Sequence, residues 1–202
     1  MKKQISIKKL VIISVVLSLV IFSKFIEMIV PDLPNGLGNI FKLSEIILFM
    51  SAIIFGFSVA FVAINIYLII IAPIFSGFFL SGIFYIDGIT NQIAIYFLDY
   101  FIPLNFLTFI AFFNSKKSKQ IFFYAYLIIF IILLSHTISG YVFFKNYLNP
   151  VIKNELFYFL LSFGLNLLGY IILFIGLPLY CWCSLNLKNK ILKDHILKNQ
   201  YL

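Results

Sequence analysis

The chain has 202 residues, 63% of them hydrophobic and 11% charged, with a mean hydropathy of +1.10. An ordinary soluble domain carries roughly 25% charged residues, so a water-soluble fold of this length could not hide so much apolar surface, and the bilayer is the expected solvent. The net charge of +8 comes from fifteen Lys with no Arg. That composition lacks the bidentate groups used to read nucleic acid and leaves membrane topology as the meaning of the lysines.

The first apolar run, Leu10 to Val30, follows Lys2, Lys3, Lys8 and Lys9. It is too long for a signal-peptide core of roughly 7–15 residues, and no small-residue cleavage site follows, so it reads as helix 1. Pro31-Asp32-Leu33-Pro34-Asn35-Gly36 is a turn-rich loop. From Phe41 to Phe84 the chain is almost continuously apolar, which suits two spans broken at Gly56-Phe57-Ser58. This places helix 2 over 41–56 and helix 3 over 58–80. Past Asp87-Gly88, helix 4 is expected over 91–113. The basic loop Asn114–Lys119 separates it from helix 5 over 121–144, and Pro150 precedes helix 6 over 156–180. The expectation is an all-α, six-helix bundle forming a single membrane domain over 1–202.

Eleven of the fifteen lysines fall in the N-terminal segment, the 114–120 loop and the tail holding Lys188, Lys190, Lys193 and Lys198. The positive-inside rule puts those segments, and both termini, in the cytoplasm of a multi-pass protein in the cell membrane. Cys181 and Cys183 have no His or carboxylate at metal-ligand spacing and read as buried thiols.

Asp99, His136 and Asn166 are polar where the bilayer makes polarity costly. Counted from the outer helix ends, all three sit roughly 12–15 Å below the external surface. Gln92, Tyr96, Asp99 and Pro103 share a helical face, as do His136, Ser139, Gly140 and Phe143, and Tyr158, Ser162, Asn166 and Gly169. These stripes predict a polar and aromatic pocket in the outer half of the bundle. The alternative is an interhelical clamp of Asp99 with His136 or Asn166. Lys24 and Glu27 read as a local ion pair at the membrane interface. Ser14-x-x-x-Ser18 on helix 1 permits close approach of another helix, either within the bundle or from a partner. No P-loop, H-E-x-x-H or G-x-S-x-G motif is present, and no inverted repeat is evident.

Phe97-Leu98-Asp99-Tyr100-Phe101-Ile102-Pro103 and Ser135-His136-Thr137-Ile138-Ser139-Gly140-Tyr141-Val142-Phe143-Phe144 resemble the thiamine-specific substrate-binding (S) component of energy-coupling factor vitamin transporters. In that family an acidic residue followed by Tyr lies on helix 4, and a His-x-x-x-Gly-x-x-Phe stretch on helix 5 is followed by an aromatic residue eight after the His. An Asn lies on helix 6. The resemblance implies substrate-binding roles for Asp99 (in place of a Glu), Tyr100, His136, Gly140, Phe144 (in place of a Trp) and Asn166. Tyr158 would substitute for a Tyr that is Leu161 here. The first loop lacks the family's Trp, since the one Trp is Trp182.

The same resemblance implies that Ser14 and Ser18 contact a transmembrane coupling subunit that works with two ATPases. It implies no cofactor and no enzymatic activity for this chain. Thiamine suits the residues chemically. Asp99 supplies a counter-charge to its permanent cation, aromatic rings offer cation–π contact of about 0.5–2 kcal/mol, and His136 and Asn166 can bond its polar edges. Two other readings stay open. One is an S component for another vitamin or metabolite. The other is a membrane enzyme or assembly factor using Asp99 and His136 as an acid–base pair.

Overall fold

The computed structural model describes residues 7–29, 42–74, 87–113, 118–143 and 154–200. All the secondary structure among them is helical. Helix α1 spans Ile7–Ile29 and α2 spans Leu43–Phe55. Helix α3 covers 57–74, and α4 spans Ile89–Phe113. Helix α5 spans Ser118–Phe143 and α6 spans Glu155–Gln200. Four stretches are long and apolar enough to cross a membrane: Ile7–Glu27, Ile89–Phe113, Gln120–Phe143 and Glu155–Lys193. Residues 75–80, expected in helix 3, lie outside the described residues, as does Phe144.

Helix α2 is the hub. It packs on α1, α3, α4 and α6, and it buries Ser44, Glu45, Ile46, Leu48, Phe49, Ser51, Ala52 and Ile53. A helix apolar on every side is a core helix. Its thirteen residues span only about 20 Å, short of the roughly 30 Å hydrocarbon core. The break that ends it falls at Gly56, whose φ of 87° and ψ of 171° lie in a region essentially reserved for glycine. Gly88, at φ 91°, starts α4 two residues before the expected Asn91.

Two helices widen into π-helical turns, Tyr67–Ile71 in α3 and Tyr96–Phe101 in α4. Each is followed by a proline, Pro73 and Pro103. A proline ring crowds the carbonyl four residues earlier, here Ile69 and Asp99, and cannot donate to it; a widened turn relieves that crowding. The Tyr96 hydroxyl crosses from one widened turn to the other and donates to the Leu68 carbonyl at 3.0 Å.

Helix 6 was expected to end at Tyr180, but α6 continues to Gln200 with Pro178 inside it. The expectation followed the loss of hydrophobicity. Helix propensity does not stop there, because residues 181–200 hold Leu, Lys and Ile with no Gly or Pro. Helix α5 packs extensively on both α4 and α6. On α1, Leu10, Val11, Val15, Leu19 and Phe22 point away from the bundle, whereas Ile13, Val16, Val20 and Glu27 point into it.

Gly56→Ala is expected to cost about 1–3 kcal/mol through its backbone conformation and to lower the unfolding temperature in detergent. Gly164→Ala, where an added Cβ meets nothing within 4 Å, is the matched control and should leave that temperature unchanged or raise it. Equal melting of the two variants would refute the strained-turn account.

Candidate functional site

Asp99 sits inside the widened turn of α4, with its side chain 18% exposed. His136 Nδ1 lies 2.9 Å from Oδ1, and the Ser139 hydroxyl donates to Oδ2 at 2.7 Å. With the carboxylate ionised, Nδ1 carries the proton, and both contacts are charge-assisted bonds of about 1.5–3 kcal/mol. One turn of α5 thus supplies two donors to a carboxylate on α4. Ser135, on the same stretch, donates to the Leu98 carbonyl at 2.6 Å, so α5 also bonds the loosened backbone of α4.

Helix α6 closes the other side. The Ser162 hydroxyl donates to the Thr137 carbonyl at 2.9 Å. A Cβ on Gly140 would collide with Ser162 Oγ and lie 3.6 Å from Asn166 Nδ2. Asn166 donates to its own helix at the Ser162 carbonyl, one turn from His136 and not bonded to Asp99. Tyr158 is buried on the same face as Ser162. Tyr100 is half-buried, stacks on Tyr96 at 6.3 Å, and lies within electrostatic reach of Asp99 and Lys24. The structure therefore unites Asp99, His136 and Ser139, and brings Gly140 and Asn166 alongside.

The sequence reading missed half of the polar cluster. Glu27 is not confined to an interfacial pair with Lys24, although that contact exists at 2.8 Å. Glu27 is 4% exposed, and its Oε1 accepts the Ser44 backbone N–H at 2.6 Å. It therefore caps α2 from a neighbouring helix, at an N-terminus where Lys42 makes no side-chain cap. Lys42 and Glu45 pair at 3.6 Å, with Glu45 5% exposed. Lys42 Nζ lies 5.2 Å from the Tyr170 ring centroid, and that ring lies 5.6 Å from His136. These contacts bring the start of α2 down to the level of His136.

The usable signal was Glu45 itself, a carboxylate four residues into the apolar run from Phe41. Lys42 falls outside the three lysine-rich segments and was assigned to the outer side by the positive-inside count alone.

Three carboxylates (Glu27, Glu45, Asp99) and two ammonium groups (Lys24, Lys42) surround the buried tyrosines 67 and 170. With His136 neutral, the cluster carries one uncompensated negative charge. Ser139 bonds the carboxylate and not the imidazole, so the nucleophile–base–acid order of a Ser–His–Asp relay is not formed. Among the described residues no three His, Cys, Asp or Glu side chains are grouped to hold a metal ion.

Ser14 and Ser18 lie on the outward face of α1. Their hydroxyls bond back to the Leu10 and Ser14 carbonyls at 3.0 and 2.9 Å. With Val11, Val15, Leu19 and Phe22 they line an open apolar groove, so these serines are not used for packing inside the bundle. Compared with family models, curated proteins and solved structures, the chain matches none.

Gly140→Ala is expected to lower stability by about 1–3 kcal/mol through overpacking against Ser162. In a Ser162→Ala background the same change should cost much less. Thermal unfolding of the four proteins in detergent checks this double-mutant cycle, and an additive result would show that the two positions do not touch.

Proposed function

We propose that this chain is a membrane-embedded substrate-binding subunit for a small, water-soluble cation, with thiamine as the leading ligand. It works with a transmembrane coupling subunit and two ATPases. In this reading the chain makes six spans, α2 and α3 forming an inner hairpin that completes the count, and both termini are cytoplasmic. The outward serine-bearing groove of α1 is the surface offered to the coupling subunit.

The observation that carries the proposal is the gathering of three carboxylates with two ammonium groups, Lys24 pairing with Glu27 and Lys42 with Glu45, which leaves Asp99 with no ammonium partner among the described residues. A structural device in a low-dielectric interior is expected to balance its charges, whereas a receptor for a permanent cation keeps one carboxylate uncompensated. Rings suited to stacking a heterocycle stand beside it in Tyr96, Tyr100 and Tyr170. The resemblance of the 97–103 and 135–144 segments to thiamine-specific S components points to the same chemistry.

The second reading is a clamp, favoured by the 2.9 and 2.7 Å contacts that already tie Asp99 to α5. Titration of the purified protein with thiamine, followed by heat or intrinsic fluorescence, separates the two. The receptor reading expects saturable binding that Asp99→Asn weakens about 100-fold, as fits loss of a desolvated charge pairing worth about 3 kcal/mol. The clamp reading expects a destabilised Asp99→Asn protein and no saturable binding of thiamine or any other water-soluble vitamin by the wild type. Accessibility of tagged termini to membrane-impermeant reagents in intact cells tests the topology, and labelling of either terminus from outside would refute it.

A further inference from the structure

Helices α3 and α4 each open at one place, and the two openings carry the same chemistry. In the widened turns, the Ala72 N–H donates to the Tyr67 carbonyl and the Ile102 N–H to the Phe97 carbonyl, five residues back. The next carbonyls in the two series, Leu68 and Leu98, would take their donors from Pro73 and Pro103, which have no N–H. A carbonyl left unmet inside a bundle costs about 1–3 kcal/mol. Here each is met from the adjoining helix. The Tyr96 hydroxyl of α4 donates to Leu68 at 3.0 Å, and the Ser135 hydroxyl of α5 donates to Leu98 at 2.6 Å. One side-chain hydroxyl thus stands in for each missing backbone donor.

The two sides of the α4 opening are held very differently. After the opening, residues 102–113 are locked to α3 by the Asn65 amide, which donates to Asn105 Oδ1 at 3.0 Å, and by Phe57, which stacks on Phe112 at 4.6 Å. Phe113 also stacks on Tyr124 of α5 at 3.7 Å. Before the opening, the Ile89–Ile95 arm buries only Ile95, while Ile89 and Ile93 are 75% and 53% exposed. Lipid covers such isoleucines without fixing them in one position, since hydrocarbon gives no preference for helix over lipid. We infer that this arm is a hinged flap beside Asp99. The widened turn Tyr96–Phe101 is its pivot, and the Tyr96 and Ser135 hydroxyls are the pins that hold it shut. A swing at this pivot exchanges two side-chain bonds and leaves the helix on either side intact. Because Ser135 adjoins His136, releasing the pin shifts the Asp99 turn against the α5 residues that grip it and uncovers the carboxylate. The inference concerns movement and not cargo, so it stands apart from the receptor reading.

The test follows a trifluoromethyl tag by fluorine NMR in the full-length protein, in a Cys181→Ala, Cys183→Ser background. The tag is placed through Ile89→Cys on the arm or, as a fixed control, through Ile175→Cys on α6; both positions are exposed. Tyr96→Phe and Ser135→Ala are each expected to raise the population of a second resonance on the arm about tenfold, as fits the loss of one buried hydrogen bond. The α6 signal should not change. Pro103→Ala gives α4 back a backbone donor and is expected to leave a single arm resonance. In that background Ser135→Ala should have no further effect, which is the coupling expected of groups that serve one carbonyl.

An arm spectrum left unaltered by either hydroxyl substitution overturns the inference, even where the unfolding temperature falls, because the hydroxyl then only stabilises. Equal changes in the arm and α6 signals overturn it as well, by showing a general loosening. A Ser135→Ala effect of the same size with and without Pro103 does the same, since the hydroxyl would not be replacing the proline's missing donor. If Pro103→Ala does not fold, the two hydroxyl variants decide. No vitamin is present in these measurements, so a failure to bind thiamine overturns the receptor reading and leaves the flap standing.

Discussion

A carboxylate inside a helical membrane bundle must be satisfied by other helices, because hydrocarbon offers it nothing. Asp99 meets that constraint through one turn of α5, which supplies both His136 and Ser139. The geometry depends on Pro103. By obstructing the turn before it, this proline opens α4 where Asp99 lies and frees backbone that Ser135 then bonds through Leu98. The element that makes α4 irregular is therefore tied to the element that fixes it to α5. Removing the proline would alter where the carboxylate points, not only how stable the helix is.

The second organising feature is the depth of α2. A thirteen-residue helix surrounded by four others starts at the level of the polar cluster. Its first backbone N–H groups are thus exposed where water is scarce, and Glu27 of α1 accepts one of them. Lys24 balances Glu27, and Lys42 balances Glu45. The positive end of the α2 dipole lies beside Glu27 and Glu45 and favours those carboxylates. The charged groups of α1 and α2 are coupled to the helix start and to Tyr170, and Tyr170 is coupled to His136.

The helical pattern, the break at Gly56 and the meeting of Asp99 with His136 were legible because each rests on local chemistry. Apolar run lengths, a glycine in a long apolar stretch, and polar residues at matched depth required no knowledge of the packing. Asn166 was placed near the site but turns back to its own helix, since a single amide can be satisfied by the carbonyl four residues before it. Lys42 and Tyr170 were not legible, and Glu45 showed only as a carboxylate inside an apolar run. Their position depends on how far α2 is drawn into the bundle, which loop length and hydropathy leave open. Tyr170 in particular is one of twelve tyrosines, and only its neighbours distinguish it. The length of α6 was misjudged for a different reason. Hydropathy marks where a membrane ends, whereas a helix ends only where the backbone is given cause to stop.

That last feature has a mechanical corollary. Helix α6 carries Ser162, Asn166 and Tyr170 in its first half and continues unbroken to Gln200. From Tyr170 to that end is about 45 Å at 1.5 Å per residue. A rocking of about 10° around Tyr170 would sweep the distal tip through about 8 Å, given that lever arm. Whatever shifts the tyrosine beside His136 is thereby magnified at a distance, and Pro178 lies part-way along the shaft, at the place where such a rod bends most easily.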